Sequence, residues 1–209
     1  MEKKELVDAL VKREWEAFDK VKNQGGRADC QDDWDTFSVM RKSQYLAWPV
    51  DLIESFYADF AAADQQGWNL ITEKYARMME STVPEEYEAL RQQLPECSEE
   101  KRAIVNQIAE IQVEWMEEFA KEYPNMAANA RSIRKEEDTP YNTSYETYLK
   151  GELMTYSDHT LGLYGRWIVE LKSNNENLAV IIMTNTAKLY GYESLKAAEQ
   201  ALNFGVEKD

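Results

Sequence analysis

LAVIIMTNTAKLYGY, residues 178–192, decides the fold. Its first seven residues, LAVIIMT, are the longest candidate strand in the chain. A short apolar run fits a buried strand or a buried helix equally well, so its flanks and continuation must arbitrate. Asn177 precedes the run, and it continues into the helix-like TAKLYGY of 186–192. Read together, the segment is a buried helix. Alternating β-branched runs are almost absent elsewhere, so the whole chain reads as all-α.

Outward from this segment, the breaks and caps of an all-α multi-helix bundle follow one another. A first helix from about Lys3 to Lys22 carries Val7, Leu10, Val11, Trp15, Phe18 and Val21 on one stripe. Gly25 and Gly26 stop it, and Asp32 or Asp33 caps a second helix reaching Trp48. Pro49 opens a third as a first-turn residue and Gly67 ends it; Asn69 starts a fourth and Pro84 a fifth. Ser98 caps a long sixth, with Glu99 and Glu100 at its positive end. Pro124 and KEEDTPYNT (135–143) mark breaks, further starts fall near Ser144, Ser157 and Asn174, and a short helix closes the chain.

The chain also aligns with itself. An offset of 108 lays residues 36–94 on 144–202 without a gap, placing Phe37 on Tyr145, Trp48 on Tyr156 and Asn69-Leu70 on Asn177-Leu178. Upstream, EWEAF (14–18) resembles EWMEEF (114–119) at an offset near 100. Duplication predicts one all-helical domain over 1–209, made of similar halves, 1–97 and 98–209, about an approximate two-fold axis. One stretch breaks the correspondence. GGRADCQDD (25–33) faces the dissimilar NARSIRKEEDTP (129–140), so the first loop reads as specialised.

Composition narrows the function classes. The 209 residues carry 24 basic and 39 acidic groups, a formal −15, and no stretch gathers lysine and arginine. Such a field opposes phosphate backbones and anionic lipid, so no nucleic-acid or membrane partner is expected. No apolar run approaches the roughly 20 residues that span a bilayer. MEKKELVDAL at the start has no signal-peptide core, and the two cysteines read as free thiols. A cytoplasmic, acidic protein is expected.

Two constellations can carry chemistry. In the loop, Cys30 precedes a helix and lies near Arg27, both of which favour thiolate, while Asp29, Asp32 and Asp33 oppose it. Its partner for nucleophilic chemistry is the single histidine, His159, in GELMTYSDH (151–159). Gln31 can orient a ligand amide, and Arg27, Asp29, Asp32, Gln44, Trp48, Glu152 and Tyr156 complete the ligand-binding candidates. The alternative reading packs Cys30 beneath the loop and pairs Arg27 with an aspartate or with Glu14. The second constellation is carboxylate: Glu14, Glu54 and Glu73, joined by Glu80. Turned towards a core, each needs a cation. An all-carboxylate site suits magnesium or manganese; equally, Arg27, Arg41, Lys74 and Arg77 can pair them.

EWEAF, GGRADCQDD, MRKSQYLAW, NLITEKYARMME, YLKGELMTYS and YGYESLKAAE, in that order, resemble a bacterial family, domain-of-unknown-function number 4125, over about residues 10–200. The residues matching its pattern are Glu14, Trp15, Gly25, Gly26, Arg27, Cys30, Gln31, Asp32, Arg41, Ser43, Gln44, Glu73, Lys74 and Tyr75. The resemblance implies no activity; it implies an association of some members with a nucleotidyltransferase-like domain. Three expectations therefore stand. The first is a small-molecule cleft between the halves, at the 25–33 loop and lined by Cys30 and Trp48. The second is an interaction module docking a nucleotidyltransferase-like or other basic partner. The third is a hydrolase using a carboxylate-bound divalent metal.

Overall fold

A computed structural model describes residues 2–22 and 26–203. Residues 178–184 are helical, within α10 (Leu178–Leu189). The side-chain oxygen of Asn177 accepts from the Val180 N–H at 3.2 Å, capping the first turn. Gly191, at φ +87°, turns the chain out of the helix where a β-carbon would be strained. The expected start near Asn174 moves by three residues: Asn174 closes the preceding helix, and Asn175 takes a left-handed φ of 57°.

Ten further α-helices complete the described residues, which contain no strand. They are α1 (Lys3–Asp19), α2 (Trp34–Ala47), α3 (Val50–Gln65), α4 (Leu70–Thr82) and α5 (Pro84–Leu90). The others are α6 (Glu99–Glu122), α7 (Pro124–Ala128), α8 (Tyr145–Thr155), α9 (Asp158–Ser173) and α11 (Leu195–Asn203). Asp33, Asn69, Ser98, Ser144 and Ser157 each cap the helix that follows with a side-chain oxygen, as their positions predict. Pro49 stands one residue outside α3 instead of in its first turn. The first helix ends at Asp19, earlier than the glycine pair; Gly26 takes φ +94°, and Gly25 lies outside the described residues.

Packing interleaves the two segments. α4 lies along α8, and α10 lies along α2, the two most extensive helix pairings; α3 also packs on α9. Helix α1 packs on α2, α3 and α4, while α6 packs on α7, α8, α9 and α10. Aromatic rings fill the junction. Trp48, Phe56, Tyr156 and Tyr164 are almost wholly buried. Phe56 and Tyr156 stand 4.5 Å apart by centroid, and Trp48 and Tyr164 5.5 Å. One hydrophobic core therefore draws on both segments.

The α4–α8 crossing is close because position 151 is glycine. A β-carbon there would meet Met78 Cγ at 2.8 Å and the Lys74 carbonyl oxygen at 3.0 Å. Gly→Ala within an unobstructed helix gains about 1 kcal/mol. Here the backbone contact cannot rotate away, and overpacking costs about 1–3 kcal/mol. Gly151→Ala is therefore expected to destabilise by about 1 kcal/mol net, read as a lower midpoint in urea; an unchanged or raised midpoint would contradict the crossing.

Candidate functional site

The loop that opens α2 is organised around Gln31 and Arg27. Gln31 is fully buried in a short 3-10 turn, Asp29–Gln31. Its amide nitrogen donates to the carbonyls of Phe18 at 2.9 Å and Val21 at 3.0 Å, while its oxygen accepts from Ala28 N–H at 3.0 Å. These bonds tie the loop to two carbonyls where α1 ends, of which Phe18 also accepts from the Val21 N–H at 3.0 Å. Arg27 donates to Asp19 at 2.6 Å, to Asp32 at 2.9 Å and to the Gln31 carbonyl at 2.7 Å. It thus binds one of the loop aspartates, as expected, and not Glu14. Asp29 is exposed.

Cys30 does not face a cleft between the halves: it is exposed. Trp48 is fully buried in the aromatic core, and its indole N–H has no hydrogen-bond partner among the described residues. These two residues consequently line no common cavity. His159 is exposed in the first turn of α9, and no hydrogen bond joins it to Cys30 among the described residues. The loop works as a strap on α1, and Cys30 within it is exposed.

The charged residues converge elsewhere. Arg41, on α2, donates to Glu14 of α1 at 2.7 Å and to Glu152 of α8 at 3.2 Å. Lys74, on α4, donates to the other oxygen of Glu152 at 2.7 Å. Neutral groups close the remaining valences. Tyr45 donates to Glu14 at 2.6 Å, Gln44 to Glu152 at 3.0 Å and Tyr156 to Glu152 at 3.1 Å. The Lys74 ammonium lies 3.6 Å from the centroid of the Tyr148 ring, a cation–π contact. All four charged side chains are below one-tenth exposed. Burial pushes the Glu152 carboxyl up, but Arg41 and Lys74 outweigh it and hold it well below the usual carboxylate range. Burial alone would lower the Arg41 pKa, yet Glu14 and Glu152 raise it well above its ordinary value. Burial raises the Tyr45 and Tyr156 phenols, so both remain hydrogen-bond donors at neutral pH.

Gln44, Glu152 and Tyr156 are therefore brought together, but as members of a closed network. The three carboxylates proposed for a metal are not. Glu14 is engaged by Arg41 and Tyr45, and Glu54 is exposed on α3. Glu73 accepts from Arg77 at 2.8 Å and from the Trp68 indole at 2.6 Å. Among the described residues no three His, Cys, Asp or Glu side chains gather in a form that would hold a metal ion.

Two concavities stand out among the described residues. A shallow groove of about 460 Å³ runs between α1 and α2, past Trp15 and Trp34, with Lys42 and Asp8 paired across it at 2.8 Å. The other, of about 290 Å³, lies between α4, α6 and α8. Helix α4 contributes Arg77, Glu80 and Ser81, and α6 contributes Arg102 and Asn106. Helix α8 contributes Thr147, Lys150, Gly151 and Met154, and the segment before it contributes Lys135. Within each helix these positions recur three or four residues apart, so each helix offers the pocket one face. Of these residues Gly151 and Met154 fell within the candidate stretch GELMTYSDH, and Glu80 and Arg77 were read only as a carboxylate and a cation that could pair. The available signal was that facial spacing, which has meaning only once the three helices are known to meet.

Fold and site together define a class: an all-α bundle closed around a charge-balanced buried network, with a polar pocket beside its closest helix crossing. Residues 4–200 match the family described as "Protein of unknown function (DUF4125)", and the chain belongs to it. No curated protein and no solved structure matches the chain. No described helix is long and apolar enough to cross a membrane.

These contacts set measurable expectations. Gln31→Ala opens the end of α1 and is expected to cost about 2 kcal/mol, since buried groups left unpaired cost about 1–3 kcal/mol each. Cys30→Ser should stay within about 0.5 kcal/mol of the parent, and Cys30 should alkylate with iodoacetamide in the folded protein; labelling only after denaturation would refute the outward placement. In the network, Glu152→Gln leaves Arg41 with Glu14 alone and strips buried Lys74 of its ion pair, and is expected to cost about 3–5 kcal/mol at pH 7. Because Glu152 is depressed in the folded state, its contribution is complete above its unfolded value near 4.3 and is lost as pH falls below it. Denaturation measured from pH 7 to pH 2 should show a steep acid limb that Glu152→Gln flattens; equal slopes would remove Glu152 from the acid response.

Proposed function

We propose that this protein binds a small molecule in the pocket between α4, α6 and α8. The carrying observation is the convergence of polar side chains from three helices and the segment before α8 on one concavity. The groups first singled out for a ligand are spent otherwise: Gln44, Glu152 and Tyr156 bond one another or Arg41, and Trp48 is core. The reading is one of binding and assigns no reaction.

The internal correspondence supports a specialised site. α3 spans 50–65 and α9 spans 158–173, the same interval 108 residues apart; α4 and α10 begin at 70 and 178. We infer that the two segments arose by duplication. At the same offset Arg77 meets Asn185, Thr147 meets Val39 and Gly151 meets Ser43. Asn185 donates to the Ser43 carbonyl at 3.0 Å. The equivalent crossing is thus joined by an uncharged bond at the place of Arg77 and Gly151, although Lys150 meets Lys42 and Glu80 meets Lys188.

Asn106→Trp tests the reading, because it fills the mouth from an exposed position on α6 and removes no charge. Isotope-labelled protein screened by NMR against a library of small polar metabolites should show shifts at Ser81, Asn106 and Gly151. The variant should abolish them without lowering the melting temperature. Shifts confined to other regions, or surviving Asn106→Trp, would refute this site.

A further inference from the structure

We infer that the open groove between α1 and α2 is a second binding site, and that it takes a neutral sugar ring. Helix α1 lines it with Asp8, Lys12, Trp15 and Glu16, whose spacing puts them on one face. Helix α2 adds Trp34 and Lys42. None of these residues belongs to the pocket between α4, α6 and α8.

The two indoles make a corner. Their ring centroids are 5.4 Å apart and their planes meet at 75°. Both rest on Phe37, whose centroid is 5.0 Å from that of Trp15 and 6.4 Å from that of Trp34; Trp15 also packs on Phe18 at 5.9 Å. The corner is therefore fixed before any ligand arrives. Trp34 is nonetheless 39% exposed, although tryptophan is on average highly buried.

Charge in the groove balances. Lys42 pairs with Asp8 at 2.8 Å. Lys12 and Glu16 stand one turn apart on α1, and neither side chain has an ion pair or hydrogen bond among the described residues. Two cations against two acids give a charged ligand no advantage. A free ammonium offers donors and a free carboxylate offers acceptors, which together complement a hydroxyl, since a hydroxyl both accepts and donates. The C–H bonds along one face of a sugar ring carry partial positive charge and pack on the electron-rich face of an indole. Other occupants fit less well. A planar base is held best between parallel rings, and here the rings are crossed. A quaternary ammonium is recognised by a cage of rings, and here two lysines stand beside it. An apolar side chain would cover four charged groups to reach two rings.

Glucose, N-acetylglucosamine, maltose and cellobiose are the probes, titrated into the isotope-labelled full chain while the indole N–H signals are followed by NMR. At least one of them should shift the Trp15 and Trp34 indole signals saturably, and adenosine and tetramethylammonium should not. Trp34→Ala should abolish the shift at Trp15. Glu16→Ala removes an exposed side chain that has no partner, so it should leave the melting temperature unchanged. It should weaken sugar binding about tenfold, as loss of a hydrogen bond to a charged group predicts. A disaccharide that binds more tightly than glucose supports a ring within a longer glycan, and equal affinity supports a free sugar. If no sugar shifts the indoles, the inference fails. It fails equally if adenosine or tetramethylammonium shifts them as strongly, or if the shifts survive both Trp34→Ala and Glu16→Ala. None of these failures touches the pocket reading, whose signals are Ser81, Asn106 and Gly151.

Discussion

Everything else in this bundle is arranged around Arg41. Its guanidinium reaches Glu14 on α1 and Glu152 on α8, and Glu152 in turn holds Lys74 on α4. Four helices distant in sequence are thereby committed to one relative placement. A buried ion cluster is not by itself a source of stability, since well-packed apolar residues of similar volume often do as well. What it supplies is intolerance of error. An apolar ridge can slide by a turn at modest cost, whereas a slip here would strand a buried charge with nothing to pair it. The neutral donors Tyr45, Gln44 and Tyr156 complete the valences of the two carboxylates, so the cluster is satisfied as well as balanced.

The parts of the fold set by local chemistry could be read from the sequence. Caps at Asp33, Asn69, Ser98, Ser144 and Ser157 depend on one side chain and the three residues after it. The stripe of α1 follows from 3.6-residue spacing, and the burial of Glu14 beside a cation follows from its place on that stripe. The end of α1 was not legible in the same way. It is set by Gln31, ten or more residues downstream, taking up carbonyls at Phe18 and Val21. Nor was the direction in which Cys30 points, since a loop preceded by glycine allows either face.

The pocket illustrates a different limit. No stretch of the chain gathers lysine and arginine, and by sequence the protein is acidic throughout. Yet α4, α6 and the chain around α8 each bring one or two cations to the same place. Charge read along the chain measures the far field, which acts on large polyanions. Charge read in space measures the local field, which acts on anything small enough to enter. The two differ here: the far field is strongly negative, while the four cations at the pocket are matched by Glu80, by Glu73 and Glu146 behind them, and by Asp138, which holds Ser81 and Thr147.

The exchanged packing of α4 on α8 and α10 on α2 has a consequence for how the chain assembles. The two most extensive helix pairings join one segment to the other, so these contacts link residues far apart in sequence, as Gln44 and Glu152 are, 108 positions from one another. Closing such loops precedes most of the stabilising burial, which makes folding slow and late-committing compared with helix bundles built from neighbours. The connection between α5 and α6 crosses from one segment to the other and is held to α4 where Arg77 donates to the Pro95 carbonyl at 2.9 Å. A chain cut between α5 and that contact would keep the α4–α8, α2–α10 and α3–α9 surfaces, so its two pieces should still find one another.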